Sequence, residues 1–123
     1  MNKVKIPSVQ ERRLALEEQY PVWPRVILAR HFEIACEKYG DRPFIYVDEN
    51  KASFGEAWHC AEKYAAAMLA LGVQRRDHVA VLMENDPDFV SLLIGVSMIG
   101  AVFIPLNTMF QEEELGYILQ QSD

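Results

Sequence analysis

The segment from His78 to Leu106 constrains the fold most. It reads "HVAVLMENDPDFVSLLIGVSMIGAVFIPL", two apolar strands with an almost wholly apolar helix between them. A strand with one wet face alternates apolar and polar residues, and neither of these does. Strands that are apolar throughout are strands to be buried on both faces. Two of them joined by a helix of this length predict a βαβ crossover in a parallel sheet, with helices on both sides. "ENDPDF" carries the signals that start the helix: Asp86 as cap, Pro87 at the first helical position, and Asp88 beside the positive end of the dipole. Gly95, in the middle of the helix, costs up to ~1 kcal/mol relative to alanine, so it is expected where another backbone comes close. Pro105 suits a strand end, where no ladder donor is needed.

Upstream, "SVQERRLALEEQ" reads as a short helix, with Ser8 and Glu11 in the capping-box relation. Pro21 and Pro24 hold "YPVWPR" extended. Leu28, Phe32, Ala35, Cys36 and Tyr39 share one face of a helix expected over 25–40 and ended by Gly40. "PFIYVDENKASF" reads as a β-hairpin, with "DENK" as its turn and Asn50 as the residue to take the left-handed conformation. Ser53 and Glu56 form a second capping box. The helix they start lines Ala57, Ala61, Tyr64, Met68 and Leu71 on one side, and Glu56, His59, Glu62 and Lys63 on the other, before Gly72 ends it. Last comes a helix in "EEELGYILQ", with three glutamates in its first turn and an inner edge of Leu115, Ile118 and Leu119.

The residues that carry chemistry are few. The chain's 123 residues hold six glycines, at 40, 55, 72, 95, 100 and 116, and none falls in a phosphate-binding pattern. His31, His59 and His78, with Cys36 and Cys60, show no metal-ligand or redox spacing; two reduced thiols in a cytoplasmic protein are expected. Ser91 and Ser97 lie inside the apolar helix, where a serine bonds back to a carbonyl one turn earlier, and no neighbouring base is in sight. Glu112, Glu113 and Glu114 suit a helix start, and Asn107 a turn. A net charge of −6 and isolated dibasic pairs, Arg12-Arg13 and Arg75-Arg76, exclude a nucleic-acid footprint. No run reaches the ~18 apolar residues of a membrane span. "MNKVKIPSVQERR" has basic residues with no apolar run after them, so no signal peptide is expected. No catalytic, cofactor-binding or metal-binding residue is assigned. In a parallel sheet ligands bind beyond the carboxyl ends of strands, here Met83 to Asn85 and Pro105 to Asn107.

From Arg42 to Asp123 the sequence resembles the opening of the adenylate-forming enzymes, the superfamily of acyl-CoA synthetases, luciferases and peptide-synthetase adenylation domains. "DRPFIYVD", "SFGEAWHCAEKYAAAMLALGV", "DHVAVLMENDPDFVSLLIGVSMIGAVFIPLN" and "EELGYIL" carry the likeness by their order and spacing. Within the superfamily, "PLNTMFQEEELGYIL" is most similar to acid–CoA ligases, including the crotonobetaine/carnitine–CoA ligase branch. Two departures are Ser53-Phe54 and Arg76-Asp77, where the family often has Thr-Tyr and Gly-Asp; both leave the cap and turn chemistry feasible.

The resemblance implies an α/β fold: a β-hairpin followed by βαβ units with a parallel sheet flanked by helices, an incomplete N-terminal portion of the acyl-CoA synthetase large domain. Residues 1–24 would be an N-terminal helix and lead-in, and 25–123 a truncated first subdomain. It implies a whole enzyme that uses ATP, Mg²⁺ and CoA on a small carboxylic acid. The phosphate loop, nucleotide contacts and catalytic lysine of that enzyme would lie past Asp123, so this chain alone is expected to be inactive. The alternative is a stand-alone interaction or scaffold module of the same fold. Cutting the sheet at residue 123 is expected to leave apolar surface that drives a homodimer, or exchange of helix 112–122 or 8–19.

Overall fold

The computed structural model describes residues 7–19 and 27–122. The extended reading of "YPVWPR" lies outside them. The first helix, α1 (Val9–Gln19), is capped as expected. Ser8 Oγ accepts from the Glu11 N–H at 3.2 Å, and the Glu11 carboxylate accepts from the Ser8 N–H at 2.7 Å. No residue of α1 is buried.

α2 (Leu28–Tyr39) starts later than expected, and Gly40 ends it. Gly40 does so without the left-handed turn usual for glycine: its φ is −10°, and its N–H bonds to the Cys36 carbonyl at 2.8 Å. The buried stripe is Ala29 and Phe32, and Leu28 is half out in solvent. The helix is rotated so that Phe32, not Leu28, meets the core.

β1 (Pro43–Val47) and β2 (Asn50–Ser53) form the antiparallel hairpin. Its loop is two residues, Asp48-Glu49, because Val47 pairs with Asn50. Asp48 takes the positive φ, 50°, while Asn50 sits in the strand. The expected turn residue was therefore two positions late. The short polar side chain of aspartate tolerates that conformation for the same reason as asparagine's.

α3 (Phe54–Ala70) begins on the Ser53–Glu56 capping box, with bonds of 3.1 and 2.8 Å. It ends in a Schellman motif: the Val73 N–H reaches the Met68 carbonyl, the Gly72 N–H reaches Leu69, and Gly72 has φ 89°. Ala57, Ala61, Ala65 and Met68 are buried, and Tyr64 is half-buried. Leu71, expected on the same face, is 84% exposed, because the helix has ended and no element covers its last turn.

β3 (His78–Leu82), α4 (Pro87–Met98) and β4 (Val102–Leu106) make the βαβ unit, and the two strands pair in parallel from His78↔Val102 to Leu82↔Leu106. α4 has no exposed residue, and Asp86 Oδ1 caps it by accepting from the Asp88 N–H at 2.8 Å. Gly95 sets how closely α4 approaches α3, since a Cβ there would stand 2.7 Å from the Ala61 carbonyl oxygen. Phe32, Ile45, Ala57, Ala61 and Ile94 form the centre of the core. Phe44, Phe54 and Trp58 stack around Phe32, with centroids 4.9, 5.7 and 6.1 Å from it.

The parallel sheet is flanked by helices, but its two faces are covered unequally. Val79, Val81 and Phe103 share one face, where Phe89 of α4 meets Phe103 edge-on at 5.3 Å. On the other face His78, Ala80, Leu82 and Val102 remain exposed. Just after α5 (Glu112–Gln121), the Ser122 carbonyl bonds to the His78 ring on this side. Leu115 and Ile118 are half-buried and Leu119 is exposed, so the expected inner edge of α5 has no deep seat.

Candidate functional site

The carboxyl ends of β3 and β4 border a cleft of about 440 Å³. Both chain segments singled out for this place, Met83 to Asn85 and Pro105 to Asn107, line it, together with Phe89 and Thr108. The parallel register carries both strands to the same level, and both then turn away. The Asp86 cap directs one into α4. An Asx turn directs the other, with Asn107 Oδ1 accepting from the Met109 N–H at 2.9 Å. The lining therefore combines polar residues, Glu84, Asn85, Asn107 and Thr108, with apolar Phe89 and Leu106.

Such a set can hold a polar ligand by hydrogen bonds. It has no nucleophile next to a base, and among the described residues no three His, Cys, Asp or Glu side chains are grouped to hold a metal ion. Cys36 and Cys60 are both free thiols. Burial, with Glu37 and Glu62 nearby, pushes the Cys36 thiol up. His59 lies 3.7 Å from Glu62 on the wet face of α3. Glu112, Glu113 and Glu114 occupy the first turn of α5, where Glu114 accepts from the Gln111 N–H at 2.8 Å. That capping box was not read from the sequence, because glutamine is a poor cap by residue type.

The two serines of α4 differ. Ser91 bonds back to the Pro87 carbonyl at 3.4 Å, as expected. Ser97 instead accepts from the Ala29 N–H at 3.2 Å, and so caps α2 from another helix. Tyr64, packed against α4, is pushed up to about 12, chiefly by burial and then by its bond to the Asp88 carboxylate. Its phenol stays protonated, near the Asp88 carboxylate at the start of α4. None of these groups opens on the cleft.

The family model described as AMP-binding enzyme matches residues 32–123. YngI of Bacillus subtilis (strain 168), provisionally named an acyl-CoA synthetase, is 30% identical over 98 residues, which are 78% of this chain and 18% of that protein. The crotonobetaine/carnitine–CoA ligase of Citrobacter koseri is 28% identical over 100 residues, 77% of this chain and 19% of the ligase. It stands among several other ligases of like similarity, so the branch suggested by "PLNTMFQEEELGYIL" is not singled out. The N-terminal subdomain of NpsA from Klebsiella oxytoca superposes with a TM-score of 0.75 at 23% identity, covering 78% of this chain and 25% of that one. The chain thus spans about a fifth of the length of these curated relatives.

Proposed function

The chain belongs to the AMP-binding enzyme family, and on that premise we propose that it is the N-terminal scaffold segment of an AMP-forming acid–CoA ligase. The whole protein would activate a carboxylic acid with ATP to an acyl-adenylate and pass the acyl group to CoA. The observation that carries this reading is the family match across 32–123, which takes in α3, the βαβ unit and α5. In this reading the groups that hold ATP and Mg²⁺ are supplied by the rest of the protein. The sequence has no glycine-rich phosphate loop, and no described cluster of side chains suits a metal. No chemical step is therefore assigned to this chain. Its role is to hold one flank of the sheet, and its cleft at the strand ends is the place where it would border a ligand.

The finer parts of the proposal are these. Residues 1–24 are a lead-in, and 25–123 the first α/β subdomain. Carnitine and crotonobetaine belong on the panel of candidate acids beside simpler carboxylates. The setting is the cytoplasm, which two free cysteines support. The exposed sheet face and the loosely held α5 favour association with another copy, as a homodimer or by exchange of α5 or α1.

The test is ATP–pyrophosphate exchange across that panel, run on this chain and on the protein made from the whole reading frame. Exchange by the whole protein and none by residues 1–123 is expected. An inactive whole protein would favour the second reading, a stand-alone interaction module. A core built from α2, the hairpin, α3 and α4 within this chain supports that alternative. Sedimentation at several concentrations tests the association, and a monomer throughout would rule it out.

A further inference from the structure

A second concavity, about 980 Å³, lies at the other end of the β3–β4 pair. It runs from the start of α2 to the end of α4, and the residues that lead into β3 and β4 close it. Its wall is apolar, with Leu28, Trp58, Leu93 and Phe103 among its lining. Its charge is positive. Arg30, Arg75 and Arg76 line it, with one acid, Glu33, which Arg30 already engages. Arg75 and Arg76 are exposed and form no ion pair with any described residue.

Two further facts bear on the arginines. Arg75 lies along Gly100, where a Cβ would come within 3.1 Å of its Cγ, so the glycine leaves room for its stem beside the groove. Arg76 takes φ 75°, a left-handed conformation that an L-residue with a Cβ adopts only at a cost. That backbone is held by the Arg76 N–H bond to the Gly100 carbonyl at 2.9 Å. Glycine would relieve the strain. Strain held at a residue whose side chain has no structural partner points towards function. In a chain of net charge −6, two unpaired guanidinium groups beside an apolar wall form a local complement to an anion with an apolar body.

We propose that this groove binds a single-chain amphiphile with an oxyanion head. The hydrocarbon lies on Leu28, Trp58, Leu93 and Phe103, and the head sits between Arg75 and Arg76. The site is separate from the cleft at the strand carboxyl ends and does not depend on the reaction proposed for the whole protein.

Trp58 provides the readout. The chain has two tryptophans, so Trp23→Phe leaves Trp58 as the only emitter. Decanoate, decyl phosphate, decanol and decyltrimethylammonium are titrated into this variant below their micelle concentrations. A saturable change in Trp58 emission is expected with decanoate or decyl phosphate, and which of the two binds tighter identifies the head. Decanol and the cation should bind about ten-fold weaker or worse, the loss expected for charge-assisted contacts. Arg75→Ala with Arg76→Gly should weaken the anions about ten-fold and leave decanol unchanged. A denaturation midpoint no lower than the parent's would show that this loss is not unfolding. If the midpoint falls, Arg75→Gln alone carries the comparison. Equal affinity for anion and alcohol, undiminished binding in the arginine variants, or no saturable change with either anion would overturn the proposal.

Discussion

Adding one methyl group at residue 95 probes the contact on which the core depends. A Cβ there would stand 2.7 Å from the Ala61 carbonyl oxygen, 3.1 Å from the Tyr64 Cβ and 3.3 Å from the Ala65 nitrogen. Two of the three are backbone atoms of α3 and cannot rotate away. Ordinary carbon–oxygen contact begins at about 3.3 Å, so the helices must separate by roughly half an ångström. That gap falls along the most tightly buried seam of the molecule, where Ala57, Ala61 and Ile94 are at most 2% exposed. Overpacking of this kind costs about 1–3 kcal/mol, and the helix propensity of alanine returns up to ~1 kcal/mol. Gly95→Ala should therefore destabilise by about 1–2 kcal/mol, and Gly95→Leu by more than ~2 kcal/mol. Urea unfolding followed by circular dichroism reads this directly. At a slope of about 2 kcal/mol/M the alanine midpoint should fall by about 0.5–1 M. Gly116→Ala is the control, because a Cβ at Gly116 meets nothing within 4 Å. Its midpoint should equal or exceed the parent's. A Gly95→Ala midpoint at or above the parent's, or equal midpoints for Gly95→Leu and Gly116→Ala, would refute the reasoning.

Arg76→Gly should stabilise the chain by about 0.5–1 kcal/mol, since relief of the positive φ outweighs the added freedom of the unfolded chain; the urea midpoint checks it. Ser97→Ala should cost about 1–2 kcal/mol by leaving the Ala29 N–H unpaired, whereas Ser97→Thr, which keeps the hydroxyl, should cost less. Glu56 is held below the usual carboxylate range, first by the Ser53 N–H and then by the Ser53 hydroxyl. A depressed carboxylate stabilises above its unfolded pKa, and that contribution is lost as pH falls through the folded value. The midpoint advantage of the parent over Glu56→Gln, measured by urea unfolding across pH, should therefore shrink on acidification below the ordinary glutamate range.

Features set by neighbouring residues were legible in the sequence. The Ser8–Glu11 and Ser53–Glu56 boxes, the Asp86 cap and the helix end at Gly72 each need only a few consecutive residues of suitable type. The parallel pairing was legible too, because an apolar helix between two apolar strands admits few other arrangements. What could not be read depends on distant partners. Ser97 bonds to a residue 68 positions away, and nothing near it signals that choice. Periodicity placed Leu71 and Leu119 on inward faces, but it does not tell how far the covering element extends. In the hairpin, pairing of Val47 with Asn50 left only two residues to turn, and so moved the positive φ to Asp48. At the cleft, the strand-end rule found both segments, while Phe89 and Thr108 entered through the geometry of α4 and the Asx turn. The groove at the opposite end was missed because its walls come from four separate elements. Its strained arginine stands where the resemblance leads one to expect glycine.

The distribution of buried surface bears on what the strand pair can do. The core cluster joins α2, the hairpin, α3 and α4, and neither parallel strand contributes a residue to its centre. A two-stranded sheet is marginal by itself. β3 and β4 have one buried residue on each face, Val81 on the side where Phe89 meets Phe103 and Leu106 on the other, at the end of the row whose Ala80, Leu82 and Val102 are exposed. The centre of the core is thus built without the strand pair or α5. The cleft at the strand ends is built on these same strands and on the turns that follow them, so its width follows their position. Gly95, by letting α4 close against α3, sets the position of the helix that joins the two strands and so of the strand ends that border the cleft.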